Sequence, residues 1–188
     1  MLHILNTCPE SLDMYSWRHD NVLLKLESFL NGHVAEGSQV YVDVVTDMSN
    51  NVIMVNQSKQ TVPIDIVSTA LRPDIVIVNR DERHVILLEL TIPFELNFVA
   101  ASVRKADRYA SLIADIEANG YKCDFFSFEF GSRGIAGPGT FSNLKQLSRA
   151  SQKEIRHLIK TLNQSVIRCS YAIFLGRNGN NRGPFTIL

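Results

Sequence analysis

Two carboxylates interrupt apolar runs in the middle of the chain. Residues 71–93 read LRPDIVIVNRDERHVILLELTIP, with Asp74 at the start of one run and Glu89 near the end of the next. Pro73 cannot donate a ladder hydrogen bond, so Asp74 belongs at the start of a strand. The short polar turn NRDER predicts an antiparallel hairpin, which would bring both carboxylates to the same end of a sheet.

Two close carboxylates in a protein interior repel each other and are poorly solvated. A divalent cation compensates them, and hard oxygen ligands suit Mg²⁺ or Mn²⁺. Such a site can activate water and stabilise charge on a phosphodiester. The alternative is that Asp74 caps a turn and Glu89 pairs with an arginine at a sheet edge, which is the more common situation for two isolated acids.

Hydrophobic periodicity predicts the elements that must position these acids. The predicted strands cover 39–45, 51–55, 61–67, 74–78, 84–92 and 121–130. The predicted helices cover 15–31, 98–119, 141–164 and 165–175, and a Gly-rich loop covers 131–139. The predicted fold class is therefore α/β, with a mixed central β-sheet flanked by helices and additional C-terminal helices.

The bulk composition excludes several classes of protein. Nineteen Lys and Arg balance nineteen Asp and Glu, so any nucleic-acid binding must use a local basic face. Three widely spaced cysteines predict reduced thiols rather than a disulfide framework. No apolar run is long enough to span a membrane, and the start lacks a signal-peptide pattern. We expect a nuclear or cytoplasmic protein that is not secreted and has no membrane partner.

The sequence PD, then fourteen residues, then E resembles the core motif of the PD-(D/E)XK nucleases, which share the restriction-endonuclease-like fold. The resemblance implies that Asp74 and Glu89 bind Mg²⁺, with the carbonyl of Leu90 as a third ligand. Position 91 is Thr, whereas the usual pattern has a water-activating Lys there. The next predicted helix carries SVRKADRYASL, and some branches hold the lysine on this helix, which gives Lys105 that role.

A narrower resemblance is to the restriction-like endonuclease domain at the C-terminus of site-specific non-LTR retrotransposon polyproteins. That branch has a basic-His-acid motif, then (R/K)PD, then an acid, then a helix with Lys and Tyr. This chain has WRHD at 17–20, RPD at 72–74, ELT at 89–91 and KADRY at 105–109. The resemblance covers roughly residues 1–135 and implies nicking of target DNA, in company with the remainder of a reverse-transcriptase polyprotein.

Three segments are expected along the chain. His3 and Cys8 are similar to the last two ligands of a zinc knuckle, so residues 1–14 are interpreted as its remnant, with ordinary residues as the alternative. Residues 15–135 are the endonuclease-like core, and residues 136–188 are a helical extension with a mobile tail. Many relatives act as homodimers or within a larger polypeptide, and both arrangements stay open.

Residues near the acids receive supporting roles. Asp20 corresponds to an acid that completes the catalytic site in many members, with a solvent-facing helix acid as the alternative. His19 is expected to be a hydrogen-bonded structural histidine, and Tyr109 to support the site mainly by packing. Thr91 is also a supporting residue, and Glu95 could pair with a cation of the following helix, one of Arg104, Lys105 and Arg108.

Basic residues form a candidate DNA-binding set, because a basic helix over 141–164 could lie along a duplex backbone. A solvated surface is the more common meaning of such a charge run. The expected DNA contacts are Arg18, Arg104, Arg108, Arg133, Lys145, Arg149, Lys153, Arg156 and Lys160.

Three alternatives to an active endonuclease stay open. The first is a catalytically inactive DNA-binding or protein-interaction module of the same fold, favoured by Thr91 and the uncertain role of Asp20. The second is a structural α/β interaction module in which both acids form salt bridges. The third is a resolvase-like enzyme on branched DNA, which differs only in its substrate.

Overall fold

The computed structural model describes residues 2–44 and 61–176 of the chain. The helices are α1 (Leu2–Asn6), α2 (Leu12–His33), α3 (Phe98–Ala118), α4 (Thr140–Leu147) and α5 (Gln152–Gly176). The strands are β1 (Ser38–Val42), β2 (Ile75–Asn79), β3 (His84–Thr91) and β4 (Lys122–Glu129). The predicted strand at 51–55 and the predicted mobile tail beyond residue 176 lie outside the described residues.

The described strands form one open sheet in the order β1-β2-β3-β4. β1 and β2 are antiparallel, β2 and β3 are antiparallel, and β3 and β4 are parallel. The predicted hairpin is confirmed, because Ile75 pairs with Leu88 and Asn79 pairs with His84. The fold is thus α/β with a mixed sheet and flanking helices, as the sequence predicts.

Both faces of the central hairpin are covered, which explains why its strands are almost continuously apolar. Ile75 and Ile77 point into a core with apolar residues of α2, α4 and α5. Val76 and Val78 point to the other face, into a core with α3. The positions that adjoin this apolar stretch at one end of the strands therefore lie between helices on both faces of the sheet.

Residues 61–67 were predicted as a strand, and that prediction is wrong. The backbone turns here, with the amides of Ile66 and Val67 both donating to the carbonyl of Pro63. Val62 and Ile66 are nevertheless buried against the α3 side of the sheet. The sequence alternates like a strand through Val62, Ile64 and Ile66, but Ile64 is 72% exposed, so only the first and last of these residues face inward.

The boundary between the last two helices also differs from the prediction. The helical structure is interrupted at 148–151 rather than near residue 164. Helix α5 then continues without interruption to Gly176. Ser151 Oγ accepts from the amide of Glu154 at 3.3 Å, and Glu154 Oε2 accepts from the amide of Ser151 at 2.8 Å. This reciprocal capping box begins α5 at Gln152.

Long helices of this protein are amphipathic rather than wholly apolar. Among the described residues, none of the helices combines the length and hydrophobicity required to cross a membrane.

Candidate active site

The hairpin brings the two predicted acids together at one end of the sheet. Asp74 immediately precedes β2 and Glu89 lies on β3. The amide of Asp74 donates to Glu89 Oε2 at 3.3 Å, and the amide of Leu90 donates to Asp74 Oδ2 at 2.7 Å. Backbone bonds from each strand therefore hold the carboxylate contributed by the other strand.

Lys105 of α3 reaches the same acids from the helix that covers this face. Its Nζ forms an ion pair with Glu89 Oε1. Only 2% of the Glu89 side chain and 19% of the Lys105 side chain are exposed. The inward direction of Lys105 follows from its place beside Ala101, Tyr109 and Leu112, which form the buried side of α3.

His19 of α2 completes the cluster from the opposite side of the sheet. Its Nε2 lies 3.2 Å from Asp74 Oδ2 and 3.2 Å from the carbonyl oxygen of Leu90. Its Nδ1 lies 3.0 Å from Asp20 Oδ1. Asp20 is thus connected to Asp74 through the imidazole of His19, which fits the expected hydrogen-bonded histidine.

The protonation of the cluster follows from these contacts. Burial lowers the pKa of His19, but hydrogen bonds to Asp20 and Asp74 outweigh it and raise the pKa to about 10. Burial and the nearby charge of Asp74 raise the pKa of Glu89, while Lys105 opposes that rise. At neutral pH His19 is an imidazolium, so two cationic side chains lie against the two acids.

The donor atoms fit a hard cation in type. Asp74 and Glu89 supply carboxylate oxygens and Leu90 supplies a carbonyl oxygen, which is the ligand chemistry that Mg²⁺ prefers. His19 Nε2 contacts both Asp74 Oδ2 and the Leu90 carbonyl, so a positive centre can lie within reach of both oxygens. Within residues 2–44 and 61–176, no group of three or more His, Cys, Asp or Glu side chains is arranged to hold a metal ion.

Tyr109 and Thr91 occupy supporting positions near the acids. Tyr109 is fully buried and its hydroxyl donates to the carbonyl of Arg72 at 2.9 Å. Burial, followed by the charge of Glu89, raises the pKa of Tyr109. Thr91 Oγ1 is buried without a hydrogen-bond partner in the described structure. Tyr109 is therefore packed in the core, and its hydroxyl holds the irregular segment that precedes Asp74.

The sequence interpretation missed one buried acid, Glu129 of β4. It pairs in register with Thr91, two positions beyond the pair formed by Glu89 and Ser127. Burial raises the pKa of Glu129, and its Oε1 has no hydrogen-bond partner among the described residues. The alternation of YKCDFFSFEF was the available signal, because it places Glu129 on the same face of the sheet as Ser127.

Arg18 was predicted to contact DNA, and its position contradicts that prediction. The side chain is buried, and its guanidinium donates to Ser170 Oγ at 2.9 Å and to the carbonyl of Leu5 at 3.0 Å. Burial lowers its pKa to about 10. Arg18 is therefore an internal connection between α1, α2 and α5.

The other predicted DNA contacts are exposed but do not form one continuous basic helix. Lys145 lies on α4 and Arg149 lies in the break, so the expected i to i+4 series is interrupted there. Arg133 is engaged by Glu95, through its amide and its Nε, both at 2.9 Å. The expected pairing of Glu95 with α3 is thus replaced by this contact. Exposed basic residues remain on α3 and α5: Arg104, Arg108, Lys153, Arg156 and Lys160.

The N-terminal residues form part of the packed structure. His3 lies in α1, with Nδ1 3.2 Å from Thr7 Oγ1, and the amide of Cys8 donates to the hydroxyl of Tyr15. Asn6 Nδ2 donates to the carbonyl of Ile92 at 3.0 Å, just after β3. The expected knuckle remnant is thus a short helix fixed beside the acid-bearing end of the sheet.

Neither a scan of protein-family models nor a search of curated proteins finds a match for this chain.

Proposed function

We propose that this chain is a metal-dependent DNA endonuclease with a restriction-endonuclease-like core. The observation that supports the proposal is the convergence of Asp74, Glu89 and Lys105 from three different elements at one end of the sheet. Asp74 lies immediately before β2, Glu89 lies on the adjacent strand β3, and the lysine comes from the helix over them. This arrangement agrees with the sequence resemblance, including the lysine on the helix in place of position 91.

Each residue of the site would have a distinct role in the reaction. Asp74, Glu89 and the Leu90 carbonyl would hold Mg²⁺ or Mn²⁺ and so orient the scissile phosphate. A bound cation would neutralise phosphate charge and favour ionisation of the attacking water. Lys105 would position that water or stabilise the developing charge on phosphorus. His19 would retain Asp74 in place and, through Nδ1, hold Asp20 near the site.

The resemblance implies hydrolysis by in-line attack. A water oxygen forms the new bond to phosphorus, the bond between phosphorus and the 3′ oxygen breaks, and the leaving oxygen takes a proton. The products are a 5′-phosphate and a 3′-hydroxyl. In a retroelement that 3′-hydroxyl would prime reverse transcription, which makes target-DNA nicking the proposed biological role.

A second candidate is a catalytically inactive module of the same fold that binds DNA or protein. His19 and Lys105 already place two cationic groups against the acids, which is the observation that favours it. In that case the cluster is a self-contained ion network, and no divalent cation is required.

A supercoiled-plasmid nicking assay with Mg²⁺ or Mn²⁺ tests the proposal. We expect nicking by the wild type, loss of at least ~100-fold in Asp74→Asn, and a comparable loss in Lys105→Met. Asp124→Asn is the matched control, because Asp124 is a strand acid at the other end of the same sheet. Nicking that survives in Asp74→Asn would mean that a contaminant or a different site cuts the plasmid.

If the folded wild type does not nick, metal binding decides between the remaining candidates. Calorimetric titration with Mn²⁺ that detects binding in the wild type, and none in Asp74→Asn, would favour an enzyme that needs further components. Absence of binding in both proteins would favour the inactive module.

A further inference from the structure

An exposed apolar stripe runs along the outer side of α3. Leu96, in the turn before the helix, is 87% exposed, and Val99 and Val103 are 74% and 55% exposed. Ala106 and Ala110 continue the stripe and are exposed too. Successive members are separated by three, four, three and four residues. This is the spacing of positions that face another helix.

The stripe is separate from the side of α3 that packs on the sheet. Ala101, Tyr109, Leu112 and Ile116 form that buried side, and Lys105 points with them toward Glu89. α3 therefore has two apolar sides, of which only one is covered by the described residues. A helix that is apolar on two sides is normally buried on both.

The stripe complements itself when a second copy of α3 is placed antiparallel to it. In the register that sets Val103 opposite Ala106 of the second copy, Val99 falls opposite Ala110 by the same count. Each of these layers pairs a bulky side chain with a small one, which lets the two helices approach closely. Leu96 falls opposite Ile113, which is half-buried. This pair occurs twice, once at each end of the seam, which is the line of contact between the two stripes.

The charges beside the stripe are self-complementary in the same register. Arg104 and Asp107 are exposed and form no ion pair within the described residues. Antiparallel placement sets Arg104 of one copy beside Asp107 of the other, and the two-fold axis repeats the pair. An isologous contact requires this kind of self-matching surface.

We infer that two copies of this chain associate through the outer side of α3, antiparallel, about a two-fold axis near residues 104 and 105. One helix per subunit makes a small interface, so we expect a dissociation constant on the order of 10 µM. The inference rests on the surface of α3 and does not depend on the proposed nuclease activity.

Sedimentation equilibrium over a range of concentrations is the first test. The mass should rise from 21.1 kDa toward twice that value as concentration increases. Val103→Asp should weaken dimerisation by more than ~100-fold, because it buries an unpaired carboxylate in the seam. Lys160→Asp is the control, because Lys160 is exposed on α5, at the other face of the sheet from α3, and this variant should dimerise as the wild type does. A wild type that stays monomeric up to about 100 µM overturns the inference, and the stripe would then be covered by a different protein.

Charge reversal tests the register. Arg104→Asp and Asp107→Arg each create two like-charge contacts across the axis, so each variant alone should be monomeric where the wild type dimerises. Mixed one to one, they should form a heterodimer, because every cross-axis pair is then opposite in charge. A mixture that remains monomeric, or single variants that dimerise normally, would show that the contact uses another face or register. Circular dichroism and thermal unfolding of each variant establish that it is folded.

Discussion

The two ends of the central strands carry similar side chains in different surroundings. At one end, Asp74 and Glu89 lie together with His19 and Lys105 against them. At the other end, His84 Nε2 and Lys122 Nζ both lie 2.7 Å from Asp124 Oδ2. Each end thus combines a histidine, a lysine and acid on neighbouring elements of the sheet.

The difference lies in burial and in the number of acids. Glu89 is almost wholly buried, whereas 36% of the Asp124 side chain and 67% of the Lys122 side chain are exposed. Asp124 is a single solvated acid with a histidine and a lysine as partners, which is an ordinary surface cluster. The other end places two acids side by side under α3, where solvent screens them weakly. Residue type alone does not mark a site, but the forced proximity of buried like charges does.

The largest expected contrast comes from removing the lysine at each end. Lys105→Met leaves Glu89 buried without its counter-ion and should reduce the free energy of unfolding by about 3 kcal/mol at pH 8. Lys122→Met should change it by less than about 0.5 kcal/mol. Urea unfolding measures both. The loss in Lys105→Met should shrink as the pH falls, because the pKa of Glu89 is raised and its protonated form needs no counter-ion. Equal losses in the two variants would contradict the assigned difference in burial.

A smaller effect is expected from the pH dependence of His19. Its folded pKa of about 10 lies above the unfolded value near 6.5, so the folded state holds this proton more tightly. Its contribution is therefore complete below pH 6.5 and is lost as pH rises toward 10. We expect a decline on the order of 2 kcal/mol in unfolding free energy across that range, allowing for partial exposure of the ring. His19→Gln should flatten the decline, and an unchanged profile in that variant would refute the assignment.

The smallest effect, and the one that bears most directly on function, is stabilisation by a divalent cation. Mg²⁺ or Mn²⁺ at ten times its dissociation constant should stabilise the folded wild type by about 1.4 kcal/mol. The gain should vanish in Asp74→Asn and persist in Asp124→Asn, as followed by thermal unfolding. A gain that disappears only in Asp124→Asn would move the cation site to the other end of the sheet.

The hairpin and its acids could be predicted because the determining signals are local. Pro73, the polar turn and two apolar runs specify strand starts and register within a short stretch of chain. The capping box at Ser151 and Glu154 was also visible, but the neighbouring basic residues made the segment resemble one longer helix. The turn at 61–67 was mistaken for a strand because its apolar residues alternate like those of a strand.

Other features depend on partners far away in sequence and were not predictable. Arg18 is charged, so sequence alone places it at the surface. Its burial depends on Ser170, 152 residues later, which supplies a hydrogen-bond acceptor in the interior. The alternation of β4 indicates the face on which Glu129 lies, but its neighbours at this end of the sheet depend on how β4 pairs with β3, on the far side of α3 in sequence. Sequence reasoning thus placed the two acids together on the hairpin but did not identify the neighbours that fix their environment.

The buried guanidinium of Arg18 has a consequence for cooperativity. It holds the carbonyl of Leu5 in α1 and the hydroxyl of Ser170 in α5, so neither helix can detach without stranding a charge in the interior. A short terminal helix would normally fray independently of the rest. Here its amides should exchange with solvent only as fast as those around Ser170, so the first and last described helices open as a single unit.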